Sequence, residues 1–137
     1  MTSPSSNRCC SLVFAVFPVL LLIGCGNSDR ASASGRLMRA DGSPLVGARV
    51  IATSSETGTT AYGQTDSDGR FSLGVAAEGD GVPPGDYRVA IIERRGDSDI
   101  PPPATISKKY RDSTTSGLHL AVESGQKASL DAQLDAP

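Results

Sequence analysis

Hydrophobic and polar positions divide this chain into two unlike parts. Leu12 to Gly24, "LVFAVFPVLLLIG", is an unbroken apolar or small run of 13 residues. From Gly35 onward, apolar and polar residues alternate over short stretches, the period of a strand with one face in a core. "DYRVAII" sets Tyr87, Val89 and Ile91 on one face and Arg88, Ala90 and Ile92 on the other. "RFSLGV" puts Phe71 and Leu73 on one face. "GLHLAVE" points Leu118, Leu120 and Val122 inward and His119, Ala121 and Glu123 outward, and "ASLDAQL" points Leu130, Ala132 and Leu134 inward. "ARVIATS" (48–54) is rich in β-branched residues, which favour strands. "TTAYGQT" (59–65) is polar with Gly63 inside it, so it reads as an edge or bulged strand. With "GRLMRA" at the start, the pattern predicts about seven strands and no helix.

Turn signals separate these runs: Asp41-Gly42-Ser43-Pro44, Glu56 to Gly58, Asp66 to Gly69, Pro83 to Asp86, and Ser124 to Gln126. Short strands punctuated by Gly and Pro predict an all-β fold, a β-sandwich. The segment from Arg94 to Thr115 breaks the rhythm. Pro101 to Pro103 cannot donate ladder hydrogen bonds, so they form extended loop or polyproline II. A loop of about 20 residues inside a compact domain is often functional or mobile.

The first apolar run matches the hydrophobic region of a secretory signal. It falls short of the about 20 residues that span a bilayer, and Pro18 interrupts it. Leu22-Ile23-Gly24-Cys25 follows directly. This resembles the lipobox of bacterial lipoproteins. The resemblance implies a diacylglycerol thioether on Cys25, cleavage before Cys25, and acylation of the new amino terminus. It divides the chain into a signal peptide (1–24), a small polar tether (25–34, ending "GNSDRASAS") and a domain (35–137). Gly26, rather than an aspartate, after the cysteine favours the outer membrane by resemblance to enterobacterial sorting.

Cysteine usage is consistent with this. The three cysteines are Cys9, Cys10 and Cys25. Cleavage removes two and lipidation consumes the third, which leaves no thiol nucleophile, disulfide or cysteine metal site. The mature chain has 137 − 24 = 113 residues, and 12 basic (13 − Arg8) against 15 acidic groups, a net charge of −3. A mildly acidic, mixed surface lacks the basic stripe that nucleic acid requires. Tyr62, Phe71, Tyr87 and Tyr110 are the aromatics left, few for a carbohydrate platform.

"GRLMRADGSPLVGARVIA" (35–52) resembles the opening of the carboxypeptidase regulatory-like domain. The matched positions are Leu37, Asp41, Gly42, Pro44, Leu45, Gly47, Ala48 and Val50. "TDSDGRFSL" supplies Thr65, Asp66, Gly69 and Phe71 of a second block, and "PPGDYRVAI" supplies Pro84, Gly85, Tyr87 and Val89 of a third. The resemblance covers residues 35 to 134 and implies a seven-stranded transthyretin-like (prealbumin, Greek-key) β-sandwich. The ending "KKYRDSTTSGLHLAVESGQKASLDAQL" is similar to that of small bacterial lipoproteins of unassigned function. In this frame Asp41-Gly42 makes a tight turn, and Tyr87 buries its ring while its hydroxyl reaches water or a loop carbonyl.

Candidate chemistry centres on Asp66-Ser67-Asp68-Gly69. A calcium loop needs acids at positions 1, 3 and 5, glycine at 6 and glutamate at 12. With Asp66 and Asp68 at 3 and 5, Gly69 falls at 6, but Gln64 stands at 1 and Val75 at 12. Starting at Asp66 puts Arg70 at 5 and Ala77 at 12. Neither register supplies the bidentate acid. The stretch therefore reads as a turn in which Asp66 accepts backbone N–H groups and shapes a hairpin that delivers Phe71 to the core. Asp66 and Asp68 are also too local for glycosidase acids facing each other across a cleft. Asp80 and Asp86 read as solvated turn residues around "GVPPG".

His119 is the single histidine and lies on an outward strand face, with no Gly-x-Ser-x-Gly elbow anywhere. One histidine without cysteines makes a poor zinc site. No catalytic residue, metal or cofactor is expected, and no small-molecule substrate is identified. "ERR" (93–95) and Lys108, Lys109, Tyr110 and Arg111 form basic clusters flanking the long loop. They are plain solvated loop ends, or the contact for an acidic partner or phosphate headgroups; residues 108–111 are the candidate partner contact. The expected protein is a cell-envelope lipoprotein with a non-catalytic β-sandwich that binds an envelope protein or glycan, or serves structurally. The alternative is a carbohydrate-binding accessory module of a transport or polysaccharide-handling assembly.

Overall fold

A computed structural model describes residues Arg30 to Pro137. The expected signal peptide, Cys25 and the tether up to residue 29 lie outside the described residues. Among the described residues, seven strands form two sheets. They are β1 (Ala33–Met38), β2 (Arg49–Ser54), β3 (Thr60–Gln64), β4 (Arg70–Leu73), β5 (Gly85–Ile92), β6 (Leu118–Val122) and β7 (Ala128–Gln133). One sheet has the order β4-β1-β7 and the other β3-β2-β5-β6. All pairings are antiparallel except β1 with β7, which run parallel.

The alternation in the sequence matches the faces observed. Tyr87, Val89 and Ile91 are buried on β5, Phe71 and Leu73 on β4, and Leu120 and Val122 on β6. They meet Leu37, Leu45, Val50 and Leu134 in one core between the sheets. Full burial of such a side chain contributes about 1.5–3 kcal/mol. The Tyr87 hydroxyl donates to the Pro83 carbonyl at 2.7 Å, so its ring is buried without an unpaired polar atom.

Two glycines allow strand backbones to approach closely, Gly35 within its own sheet and Gly63 between the sheets. A Cβ on Gly35 would run into the Leu130 carbonyl and the Phe71 ring, and one on Gly63 into the Ser72 carbonyl. Gly63 was expected in an edge or bulged strand; β3 is an edge strand, and the glycine is there because β4 crosses against it.

Connections alternate between two ends of the sandwich. Registers place Ala33, Leu73 and Ala128 together on one sheet, and Ser54, Thr60, Gly85 and Val122 at the corresponding end of the other. That end carries residue 30 and the β2–β3, β4–β5 and β6–β7 connections. The opposite end carries residues 39–48, 65–69, 93–117 and the C-terminal residues.

Two expectations need correction, and a third point that the sequence left open, the state of the long loop, is answered. The domain starts earlier than Gly35: Ala31 pairs with Val82 through backbone bonds of 2.8 and 2.9 Å, β1 begins at Ala33, and both alanines are buried. Small side chains suited to a tether are equally suited to a crowded strand start. Second, the Asp66–Gly69 turn does not join neighbours of one sheet. It passes the chain from β3 to β4, which lie in different sheets and touch through a Tyr62–Gly74 bridge. Third, the long loop is folded onto the core. Ile106 and Tyr110 are buried in it, around a 3-10 turn at Lys108–Arg111.

Candidate functional site

The Asp66 carboxylate is spent on its own turn. Its Oδ1 accepts the N–H groups of Asp68 (2.8 Å) and Arg70 (2.9 Å), and Gly69 takes φ 76°. The Arg70 and Asp68 N–H groups hold the carboxyl below its ordinary range. Asp41 is built alike, accepting from the Ser43 hydroxyl and N–H, which lower its carboxyl. Asp80, read as a solvated turn residue, is more engaged. Its carboxylate accepts the N–H groups of Val75, Ala76 and Ala77 and is paired with Arg30 at 3.0 Å. Burial pushes this carboxyl up, but the Ala76, Ala77 and Val75 N–H groups and Arg30 together bring it below its ordinary value. His119 is exposed and lies opposite Arg88 on β5.

The candidate contact at 108–111 divides. Lys108, Lys109 and Arg111 are exposed, whereas Tyr110 is 4% exposed and serves as an anchor. Its hydroxyl donates to Asp135 Oδ2 (3.1 Å) and accepts the Asp135 N–H (3.0 Å). Lys109 is ion-paired with the same carboxylate and lies 5.0 Å from the Tyr110 ring centroid. This pairing raises the Lys109 ammonium and, together with Tyr110, lowers Asp135. The motif joins the loop to the C-terminal residues, and Tyr110 is withdrawn from any contact surface.

The other basic cluster borders a cavity of about 650 Å³ on the outer face of the four-stranded sheet. Its floor comes from cross-strand neighbours. Arg49 on β2 sits between Gln64 of β3 and Ile92 of β5, and Tyr62 lies two residues before Gln64 on β3. Tyr62 and Ile92 are each 43% exposed. The Arg49 guanidinium lies 5.4 Å from the Tyr62 ring centroid, within cation–π range. One wall is the segment Gly74 to Glu78, clamped from behind by Asp80; the other is Glu93 to Gly96.

Sequence reasoning found Glu93 to Arg95 as a charge run but not this cavity. Its parts come from four segments, and no local spacing joins them. Nor does local spacing join Arg39, Thr105 and Glu93: Arg39 Nε donates to Thr105 Oγ1 at 2.8 Å, and Thr105 donates in turn to the Glu93 carboxylate.

A family model for the carboxypeptidase regulatory-like domain matches residues 32–135. The chain belongs to that family. The match begins at Ser32, between the Ala31 bridge and the start of β1, and it takes in both the long loop and β7. Comparison with curated proteins and with solved structures finds no match to this chain. The family accounts for the sandwich and its turns. Among the described residues, no three His, Cys, Asp or Glu side chains are grouped to hold a metal ion, and no helix is long and apolar enough to cross a membrane.

Proposed function

We propose that this protein is a cell-envelope lipoprotein, held to a membrane by acyl chains on Cys25, whose sandwich is a non-catalytic binding module for an envelope partner. The observation that carries this reading is the place of Leu22-Ile23-Gly24-Cys25 relative to the folded domain. The first paired residue, Ala31, stands 31 − 25 = 6 positions after the cysteine. Six residues reach at most about 20 Å, so the lipid would hold the residue-30 end of the sandwich close to the bilayer. The opposite end, with residues 93–117, would face away from it. Two or three acyl chains anchor stably where one does not.

The carboxylates within the turns support a non-catalytic reading, since Asp41, Asp66 and Asp80 are occupied by backbone donors. A carbohydrate-binding accessory role is the lesser reading. It calls for an open aromatic face, and Arg49 lies over the exposed Tyr62 ring. In cells labelled with radioactive fatty acid, the protein is expected to carry label and to fractionate with membranes. Cys25→Ala is expected to remain unlabelled and uncleaved; normal processing of that variant defeats the anchoring proposal.

A further inference from the structure

We infer that the cavity between Gly74–Glu78 and Glu93–Gly96 is a recognition site for an acidic, apolar-bearing peptide segment of a partner protein. The charges on its lining are unequally used. Glu93 is engaged by the Thr105 N–H and hydroxyl, and Glu78 accepts the Gln64 N–H at 3.4 Å. The arginines make only long polar contacts. Arg94 has a 3.9 Å contact with exposed Asp97, and Arg95 donates to the Pro102 carbonyl at 3.4 Å. Arg49 has no carboxylate within ion-pair distance among the described residues. Arg49, Arg94 and Arg95 outnumber Glu78 and Glu93 on the lining, and the guanidinium groups still offer donors, so the cavity presents net positive charge.

The chemistry of the floor narrows the ligand. A guanidinium stacked on an aromatic ring keeps its edge N–H groups free for the bidentate pairing that carboxylates accept. Beside Arg49 lie the half-exposed Tyr62 and Ile92, with Val75 on the wall. A ligand filling the cavity must bring both carboxylates and aliphatic surface. A peptide with acidic and aliphatic side chains does this; a uronate chain brings the carboxylates alone. The volume suits a few residues, in the ordinary range for ligand sites. The edge of β3 beside the cavity is closed to strand addition, because Gly74 pairs with Tyr62 and Glu78 takes the Gln64 N–H. Side-chain recognition therefore carries the site.

This inference rests on the binding-module reading, but not on lipidation, and its test separates the two. Full-length protein, purified from membranes in detergent, is titrated by fluorescence anisotropy with a labelled Leu-Glu-Val-Glu-Leu-Glu peptide. Parallel titrations use the Leu-Gln-Val-Gln-Leu-Gln peptide and a labelled hexauronate. The acidic peptide is expected to bind about tenfold or more tightly than either. Arg49→Gln combined with Arg95→Gln is expected to remove that preference at an unchanged thermal midpoint, whereas Lys108→Gln with Arg111→Gln retains it. Equal binding of both peptides, preference for the uronate, or no binding overturns the site. Each of those results leaves membrane fractionation and the mass of the N-terminal peptide unaffected, so anchoring is judged independently.

Discussion

The outer faces of the two sheets differ although their inner faces obey one rule. On the three-stranded sheet the outward residues are Ser34, Arg36, Arg70, Ser72, Ser129, Asp131 and Gln133, with half-buried Met38 the one large apolar side chain among them. On the four-stranded sheet Ile51, Tyr62 and Ile92 face outward beside Arg49, and two segments rise around them. Inward alternation makes the sandwich; the outward departures from polarity gather on the four-stranded sheet.

The largest expected effect comes from filling the space at Gly35, between its sheet neighbours β4 and β7. Gly35→Val places a side chain against the Leu130 carbonyl and the Phe71 ring, and backbone cannot yield as a flexible side chain can. No cooperative unfolding transition is expected by circular dichroism, while Ser34→Val on the outward face of the same strand is expected to keep one. Equal behaviour of the two variants would remove the inside–outside distinction on β1.

Tyr110→Ala comes next. A buried aromatic lost from a core costs about 3–5 kcal/mol, readable as a lower urea midpoint. Tyr110→Phe keeps the ring and loses only the link to Asp135, and is expected to cost about 1 kcal/mol. A surface contact residue would show neither loss.

Acid sensitivity is smaller and follows from the turns. Asp41, Asp66, Asp80, Asp112 and Asp135 all have carboxyls lowered from 3.8 in the folded chain. For a depressed acid, the stabilisation is complete above the unfolded value and is lost as pH falls through the folded one. Stability is therefore expected to hold down to about pH 4 and to decline below it. Asp66→Asn is expected to flatten part of that decline in thermal melts between pH 5 and pH 2; an unchanged acid limb would contradict the turn assignment.

The smallest effect on stability is expected on the cavity floor. Ile92→Ser and Tyr62→Ser alter half-exposed side chains and should shift stability by about 0.5 kcal/mol or less, while weakening acidic-peptide binding. Ser129→Ala and Gln133→Ala on the other sheet should do neither.

Period-two alternation was enough to read the strands, because burial on one face enforces it residue by residue. Tyr87, Phe71 and Asp66 were legible for the same reason: each is determined by neighbours within a few positions. The placement of β3 and β4 in different sheets was not, since a turn such as Asp66–Gly69 serves a hairpin and an inter-sheet crossing equally. Tyr110 sat among three cations and read as surface. Its burial depends on Asp135, 25 positions away. The cavity was hidden for a similar reason, as Arg49, Tyr62 and Arg95 meet only once three strands are in register.

The central claim is a binding module anchored through one cysteine, and the mature amino terminus tests it most directly. Tandem mass spectrometry of the N-terminal peptide from membrane-extracted protein is expected to begin at Cys25, with diacylglycerol on its sulfur. A mature chain beginning elsewhere, or an unmodified Cys25 thiol, would contradict the account.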